Sequence, residues 1–283
     1  MIIIPISDVH TELAPHLFRD EEIRAVFSFL PKLFESKQTI VLVAAGDIGR
    51  NFSGVLWLQR VIQNFPGLKV VFVPGNHEYY GSQLEDLYHQ YKDVQTEIGS
   101  VLGQDLHILA SNFTIIDNVL FVGDTLWTDC HKQDPAVMLE VQDIMNDYVY
   151  IYNSHGKPIT VNTTVDKHYN QSKHIFKVLG NLAQIRKSRK DLKIAVVTHH
   201  SPLLSTNGAD LLGYAFHCTD VQEKLELSEN IPDYWFFGHT HSSLCTRRDY
   251  EHGSCEFISN QLGYTSENLT QTHYQNGFYI EVK

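Results

Sequence analysis

The stretch "VVFVPGNHEYY", residues 70–80, carries the reading of this chain. Four apolar residues, Val70 to Val73, run into a proline and a glycine, and Asn76, His77 and Glu78 follow at once. A short apolar run closed by turn residues predicts a buried strand. Taken alone, the polar triplet is turn chemistry, because Asn and Gly are ordinary occupants of such bends. Whether it is more depends on what stands at the ends of the other strands.

Four further apolar runs predict buried strands, at residues 2–6, 40–44, 194–198 and 234–237. Helical patterns separate the runs at 2–6, 40–44 and 70–73, which argues for βαβ units and a parallel sheet. After Gly46-Asp47, residues Val55, Leu58, Ile62 and Phe65 share one helical face. Ile175, Val178, Leu179, Leu182 and Ile185 define a second helix at the same spacing. Residues 113–122 read as a hairpin turning at Asp117-Asn118, and short strands and turns are expected beyond His241. Residues 128–167 mix the helix-like "AVMLEVQDIMNDYVYIY" with a polar loop containing Gly156 and Pro158. Such an excursion is either a cap over a site or plain surface structure. With no low-complexity linker or internal repeat, one domain over residues 1–283 is the expectation.

Composition narrows the function classes. The chain has 43% hydrophobic and 19% charged residues, which is ordinary for a globular protein. No apolar run approaches a membrane span. The opening "MIIIPI" is too short for a signal-peptide core and leads straight to Asp8 and His10, so a cytoplasmic protein is expected. Cys130, Cys218, Cys245 and Cys255 are scattered without C-x-x-C spacing, which predicts reduced, mostly buried thiols. The formal charge of −11 disfavours a nucleic-acid backbone as partner. The most basic block, "RKSRK" at 186–190, is expected to be a solvated helix end. A small anionic ligand remains compatible, because bound cations would invert the local field.

The strand ends share one chemistry. The first leads into "SDVH" with Asp8 and His10, the second into "AAGDIG" with Asp47, and the third into "PGNHE". The fourth leads into "THHSP" with His199 and His200, and the fifth into "FGHTH" with His239 and His241. Each alone reads as a turn or cap residue. Jointly they do not, because independent turns have no reason to place imidazoles and carboxylates at five strand ends. Ligands in open α/β sheets bind outside the carboxyl ends of strands, which would gather these groups in one crevice. Mixed imidazole and oxygen donors suit Mn, Fe, Zn, Ni or Co rather than Ca or Mg. The donors outnumber one site, so two metals sharing a carboxylate fit better, an arrangement suited to phosphoryl displacement. No G-x-S-x-G element or P-loop competes.

The ordered blocks "DVH", "GD", "GNHE", "THH" and "GHTH" resemble the calcineurin-like metallophosphoesterase superfamily. "DTLWTD", "MNDY", "DYWFFGHTH" and "SNQLGY" look like a bacterial-type subgroup of uncharacterised phosphoesterases, so the likeness spans nearly the whole chain. It implies an α/β fold with a two-sheet β-sandwich flanked by helices, four layers in all. It also implies a dinuclear site in which Asp8, His10 and His241 hold one metal, Asn76, His199 and His239 the other, and Asp47 bridges. His77 would then protonate or stabilise the leaving oxygen while a metal-activated hydroxide attacks phosphorus. Four assignments stay open. In "THHSP" His199 is favoured over His200 as ligand; Glu78 is an orienting acceptor or a helix-start residue; Arg50 touches phosphate or is surface; His217 does or does not reach the site. Gln261 stands where the subgroup has proline. The expected activity is metal-dependent hydrolysis of phosphomonoesters or phosphodiesters, with a small phosphorylated substrate. Cyclic-nucleotide phosphodiesterase and nuclease are the alternatives within this chemistry. A non-catalytic scaffold is the rival outside it, opposed by the complete set of blocks.

Overall fold

The computed structural model describes residues 1–101, 105–204 and 211–282. Its strands in chain order are β1 (Ile2–Ile6), β2 (Ile40–Ala45), β3 (Lys69–Val73), β4 (Leu106–Ile108), β5 (Asn112–Ile116) and β6 (Val119–Asp124). They continue with β7 (Lys193–Thr198), β8 (Tyr234–Phe236), β9 (Leu244–Tyr250), β10 (Gly253–Ser259) and β11 (Ile280–Glu281). Two sheets result, one ordered β11-β1-β2-β3-β4 and the other β5-β6-β7-β8-β10-β9. β1 to β4 are mutually parallel, with β11 antiparallel at the edge. β6, β7, β8 and β10 are parallel, flanked by antiparallel β5 and β9.

The sheets pack face to face. Ile3, Val41, Val43 and Val71 meet Phe121, Ala195, Val197 and Phe236 in one buried cluster. β1 and β2 are buried at every position, so their uninterrupted apolar runs are what burial on both faces requires. The outer face of the first sheet is covered by the helix Ser53–Asn64, through Val55, Leu58 and Val61. The outer face of the second is covered by the helix Val161–Ser188, through Ile175, Leu179 and Leu182. Helix, sheet, sheet and helix thus stack in four layers, the architecture implied by the resemblance.

Several sequence expectations change in detail. Ile185 shares the helical spacing but is 46% exposed. Arg186 is not a solvated helix end. Its guanidinium donates to Asn230 Oδ1 (2.9 Å), the Ile231 carbonyl (2.7 Å) and Asp233 Oδ2 (2.8 Å), tying the helix to the loop before β8. Residues 128–167 contain three short helices, Cys130–Gln133, Pro135–Ile144 and Asp147–Tyr150, and end in the first turns of the long helix. Cys130, Cys218 and Cys255 are buried, whereas Cys245 is exposed.

Candidate active site at the strand ends

Three strands of one sheet and two of the other deliver their carboxyl ends to the same side of the sandwich. Asp8 and His10 leave β1, Asp47 leaves β2, Asn76 and His77 leave β3, His199 and His200 leave β7, and His239 and His241 leave β8. The exits are sharp. Asp8 (φ 55°), His10 (49°), Asp47 (53°), His239 (71°) and His241 (47°) all lie in the left-handed region. Each such non-glycine residue costs about 1–3 kcal/mol, a price borne only where the surroundings fix it. Here the exits brace one another: Asp8 N donates to Gly46 O (3.1 Å) and His10 N to Asp47 O (3.0 Å). Gly75 explains the glycine of the third block, since a Cβ there would collide with Asp47 Oδ1.

Among the described residues, three groups of side chains bring candidate ligand atoms within 4.8 Å of one another: Asp8–His10–His241, His10–Glu12–His77 and Asp47–His199–His239. Asp47 faces two ways. Its Oδ1 lies 3.4 Å from His199 Nε2, while its Oδ2 lies 3.9 Å from His10 Nε2 and 4.0 Å from His77 Nε2. Asp8 Oδ1 lies 3.5 Å from His241 Nε2, and Asn76 Oδ1 lies 3.0 Å from His199 Nε2.

The imidazoles are oriented from behind. His199 Nδ1 donates to the Ala45 carbonyl (2.8 Å), which leaves Nε2 as the atom facing Asn76 and Asp47. His241 Nδ1 contacts Glu267 Oε2 (2.6 Å), and His10 Nδ1 contacts Glu12 Oε1 (3.3 Å). With both Nδ1 atoms donating to carboxylates, the two Nε2 atoms turn toward each other at 3.2 Å. Two neutral imidazoles so arranged would oppose lone pairs. His239 Nε2 is buried and has no hydrogen-bond partner among the described residues. Burial opposes a proton on His199, but Asp47 outweighs it and raises the ring to about 9. His241 likewise rises to about 9 against burial, through its contacts with Asp8 and then Glu267. The carboxylates thus favour positive charge on His199 and His241, whereas burial and then His200 and His199 push the His239 ring well below its ordinary value.

The remaining sequence candidates separate. His77 lies beside Asp47, with its backbone N–H donating to Asp47 Oδ1 (2.9 Å) and its ring stacked on Tyr80 at 4.3 Å. His200 stands behind the clusters, Nδ1 toward Thr125 O (3.3 Å) and its ring 4.0 Å from that of His239. Glu78 is fully buried and accepts four backbone N–H groups, from Asp47 (2.9 Å), Ile48 (2.8 Å), Gly49 (2.9 Å) and Gly75 (2.6 Å). Burial and then Asp47 push its carboxyl up to about 8, against the backbone donors. Arg50 is exposed and lies 5.6 Å from the Tyr80 ring centre. His217 Nδ1 donates to Gly213 O (2.7 Å), and the ring lines a neighbouring cavity of about 440 Å³ rather than the pocket over the clusters.

Over the clusters opens a cavity of about 300 Å³, lined by Asp47, Asn76, His77, His239 and His241 together with Tyr80 and Tyr264. Ile144, Met145 and Asn146, from the 128–167 excursion, form part of its wall.

The sequence profile described as calcineurin-like phosphoesterase matches residues 1–243. The chain belongs to the calcineurin-like phosphoesterase family. A curated relative, the uncharacterized protein L509 of Acanthamoeba polyphaga mimivirus, is 27% identical over 278 residues, covering 93% of this chain and 91% of its own. Among solved structures, a phosphopantetheinyl hydrolase (PptH) from Mycobacterium tuberculosis shares the fold, with a TM-score of 0.58 at 14% identity. That match covers 93% of this chain and 90% of the other. Family membership and the clusters able to hold metal support a metal-dependent phosphoester hydrolase. No helix among the described residues is long and apolar enough to cross a membrane.

Four side chains of this phosphoesterase site escaped the sequence reading. Glu12 contacts both His10 and His77, the latter at 3.0 Å, and lies two residues beyond His10. Asp147 accepts from Asn76 Nδ2 (2.8 Å) and the Tyr80 hydroxyl (2.7 Å); it is the Asp of "MNDY". Tyr264 places its hydroxyl 3.3 Å from His77 Nε2 and is the Tyr of "SNQLGY". Glu267 had no signal at all, since nothing in its surroundings marks one more exposed-looking acid near the end of the chain. Tyr264 and Glu267 both lie outside the segment matched by the family profile.

Proposed function

We propose that this protein hydrolyses phosphate esters of a small substrate at a dinuclear metal centre. The single observation that carries the reading is the two-sided Asp47 carboxylate, one oxygen toward His199 and the other toward His10. Asp8, His10 and His241 would hold one cation, and Asn76, His199 and His239 the other, with Asp47 shared. The residues fit such ions chemically. The unpartnered Nε2 of His239, the opposed Nε2 atoms of His10 and His241, and a His199 Nε2 facing only oxygens all call for a cation. The mixed donors suit Mn, Fe, Zn or Ni. When bound, a metal pair supplies Lewis acidity toward phosphoryl oxygens and lowers the pKa of water.

The chain's own residues supply the rest. His77 meets the cavity through Nε2, with Glu12 fixing Nδ1 as the donor and so directing Nε2 at the ester. Asp47 and Glu12 outweigh burial and raise the His77 pKa, which keeps a proton available for the leaving oxygen near neutral pH. Tyr80 stacked on the ring limits its rotation. The acidic chain, at −11, favours a small ester over a nucleic-acid backbone.

The test is metal content together with an activity panel of p-nitrophenyl phosphate, bis-p-nitrophenyl phosphate, cyclic nucleotides, dinucleoside polyphosphates and single-stranded DNA, each with Mn²⁺. Two equivalents of transition metal and turnover on a small ester are expected, and His77→Ala should keep its metal while losing about 10²-fold or more in kcat. A protein that takes up no metal and stays inactive with Mn²⁺ or Zn²⁺ would sink the reading.

A further inference from the structure

The segment 261–267, beyond the part of the chain matched by the family profile, is built into the site as firmly as the strand ends themselves. Its backbone continues the β1 exit: Leu262 N donates to Ser7 O (3.0 Å) and Gly263 N to Asp8 O (2.9 Å). Gln261 fastens it to the β8 exit, with its N–H donating to Ser243 Oγ (2.8 Å) and Nε2 to Thr240 Oγ1 (2.8 Å) and Ser242 O (3.1 Å). A proline at 261 would lack that N–H, so the departure from the subgroup pattern is a change of fastening. Gly263 has φ +81°, and a Cβ there would collide with Glu267 Oε2 and Thr272 Cγ2.

This anchoring aims two side chains. Glu267 Oε2 accepts from His241 Nδ1 (2.6 Å) and from the Tyr264 backbone N–H (2.7 Å), so one oxygen sets both a candidate ligand and the loop. Tyr264 lies across the mouth of the clusters. Its ring centre is 4.4 Å from that of His10 and 4.5 Å from that of His241, and its hydroxyl sits 3.3 Å from His77 Nε2 on the cavity wall.

We infer that Tyr264 is a substrate-contacting catalytic residue whose hydroxyl donates to a phosphoryl oxygen beside His77, and that Glu267 is the positioning residue holding both Tyr264 and His241. The inference rests on the phosphoesterase reading of the site. When an ester occupies the cavity, the hydroxyl exchanges its contact with His77 Nε2 for a hydrogen bond to the charged phosphoryl oxygen, a charge-assisted acceptor. His77 Nε2 is thereby released to face the leaving group. No proton is transferred by Tyr264 in this scheme.

Tyr264→Phe keeps the ring and removes the donor. With Mn²⁺ and p-nitrophenyl phosphate, kcat/KM should fall tenfold or more, and calorimetric affinity for inorganic phosphate should fall by a similar factor. Mn²⁺ affinity and the thermal midpoint should stay at wild-type values. Glu267→Ala should weaken both Mn²⁺ and phosphate binding, and Glu267→Gln, which still offers one carbonyl oxygen to both donors, should recover much of each. Wild-type phosphate affinity and kcat/KM in Tyr264→Phe would overturn the inference while leaving the phosphoesterase reading intact. A wild-type protein that binds neither Mn²⁺ nor phosphate would overturn both.

Discussion

Asp147 accepts a hydrogen bond from Asn76 Nδ2 at 2.8 Å, and this fixes which way the Asn76 amide points. With its nitrogen held by Asp147, Oδ1 is left facing His199 Nε2 at 3.0 Å. The pair joins the third strand end to the 128–167 excursion. Asp147 is buried, and burial raises its carboxyl above the usual range although Asn76 and Tyr80 donate to it. Asp147→Ala should free the amide and lower metal affinity 10–100-fold or so, the usual scale for losing a partner behind a ligand. Calorimetric titration with Mn²⁺ checks this, and Tyr80→Phe, which keeps the Asn76 contact, should lose much less. Equal affinity in Asp147→Ala and wild type would remove the orienting role.

Glu12 is the counterpart for His77. Its carboxyl, pushed up by burial but held down more strongly by His10 and then His77, settles at about 2, so it is charged at any working pH. Glu12→Gln removes that charge and should lower the His77 pKa. The basic limb of the kcat/KM profile would then move to lower pH, with a fall in kcat of about tenfold at pH 8. A pH–rate profile of the variant superimposable on the wild type would contradict the assignment.

The same ionisations set how stability varies with pH in metal-free protein. His241 is raised from 6.5 to about 9, so its contribution is complete below pH 6.5 and is lost as pH rises through 9. Glu12 is lowered from 4.5 to about 2, so its contribution is complete above pH 4.5 and is lost as pH falls through 2. Ionising the buried Glu78 carboxyl, raised to about 8, adds to the His241 loss, so metal-free protein should lose stability as pH rises from about 6.5 to 9, as read by urea unfolding. Metal must displace the protons on His241 and His199, so Mn²⁺ affinity should increase between pH 6 and 9 with measurable proton release. An affinity flat across that range would mean these rings do not bind the metal.

Glu78 predicts a stability defect rather than a purely catalytic one. In Glu78→Gln an NH₂ group replaces one oxygen, so two of the four buried backbone N–H groups lose their acceptor whichever way the amide turns. At about 1–3 kcal/mol for each unpaired group, a loss of about 2–6 kcal/mol is expected from urea unfolding. A loss below about 1 kcal/mol would show that the turn after β2 does not depend on this carboxylate.

Much of the site was legible because its residues sit next to strong strand signals. The apolar runs ending at Ile6, Val73 and Thr198 locate Asp8, Asn76 and His199 by simple adjacency. Local spacing gave no such handle on Asp147 or Glu267, whose partners are 71 and 26 residues away in sequence. It also misjudged Arg186, since a cation at a helix end looks solvated until the Asp233 loop is seen to fold against it. The alternative in "THHSP" is likewise a matter of packing. His199 stands with Asp47 and His239 because its Nδ1 reaches the Ala45 carbonyl on a strand of the other sheet, whereas the His200 ring turns toward Thr125 O.

The sequence by itself determined the strands, their exits and the chemical types gathered there, because burial on both faces writes continuous apolar runs and sharp turns admit few residues. It could not divide those strands between two sheets, since β2 and β7 both carry continuous buried apolar runs and periodicity carries no information about which neighbour a strand pairs with. Only the tertiary structure fixed the distances in the crevice at the strand ends, with one Asp47 oxygen toward each side, and placed Glu12, Asp147, Tyr264 and Glu267 behind or across from the clusters. Those relationships are distances between residues far apart in the chain, and they arise from how two twisted sheets pack, which no local pattern encodes.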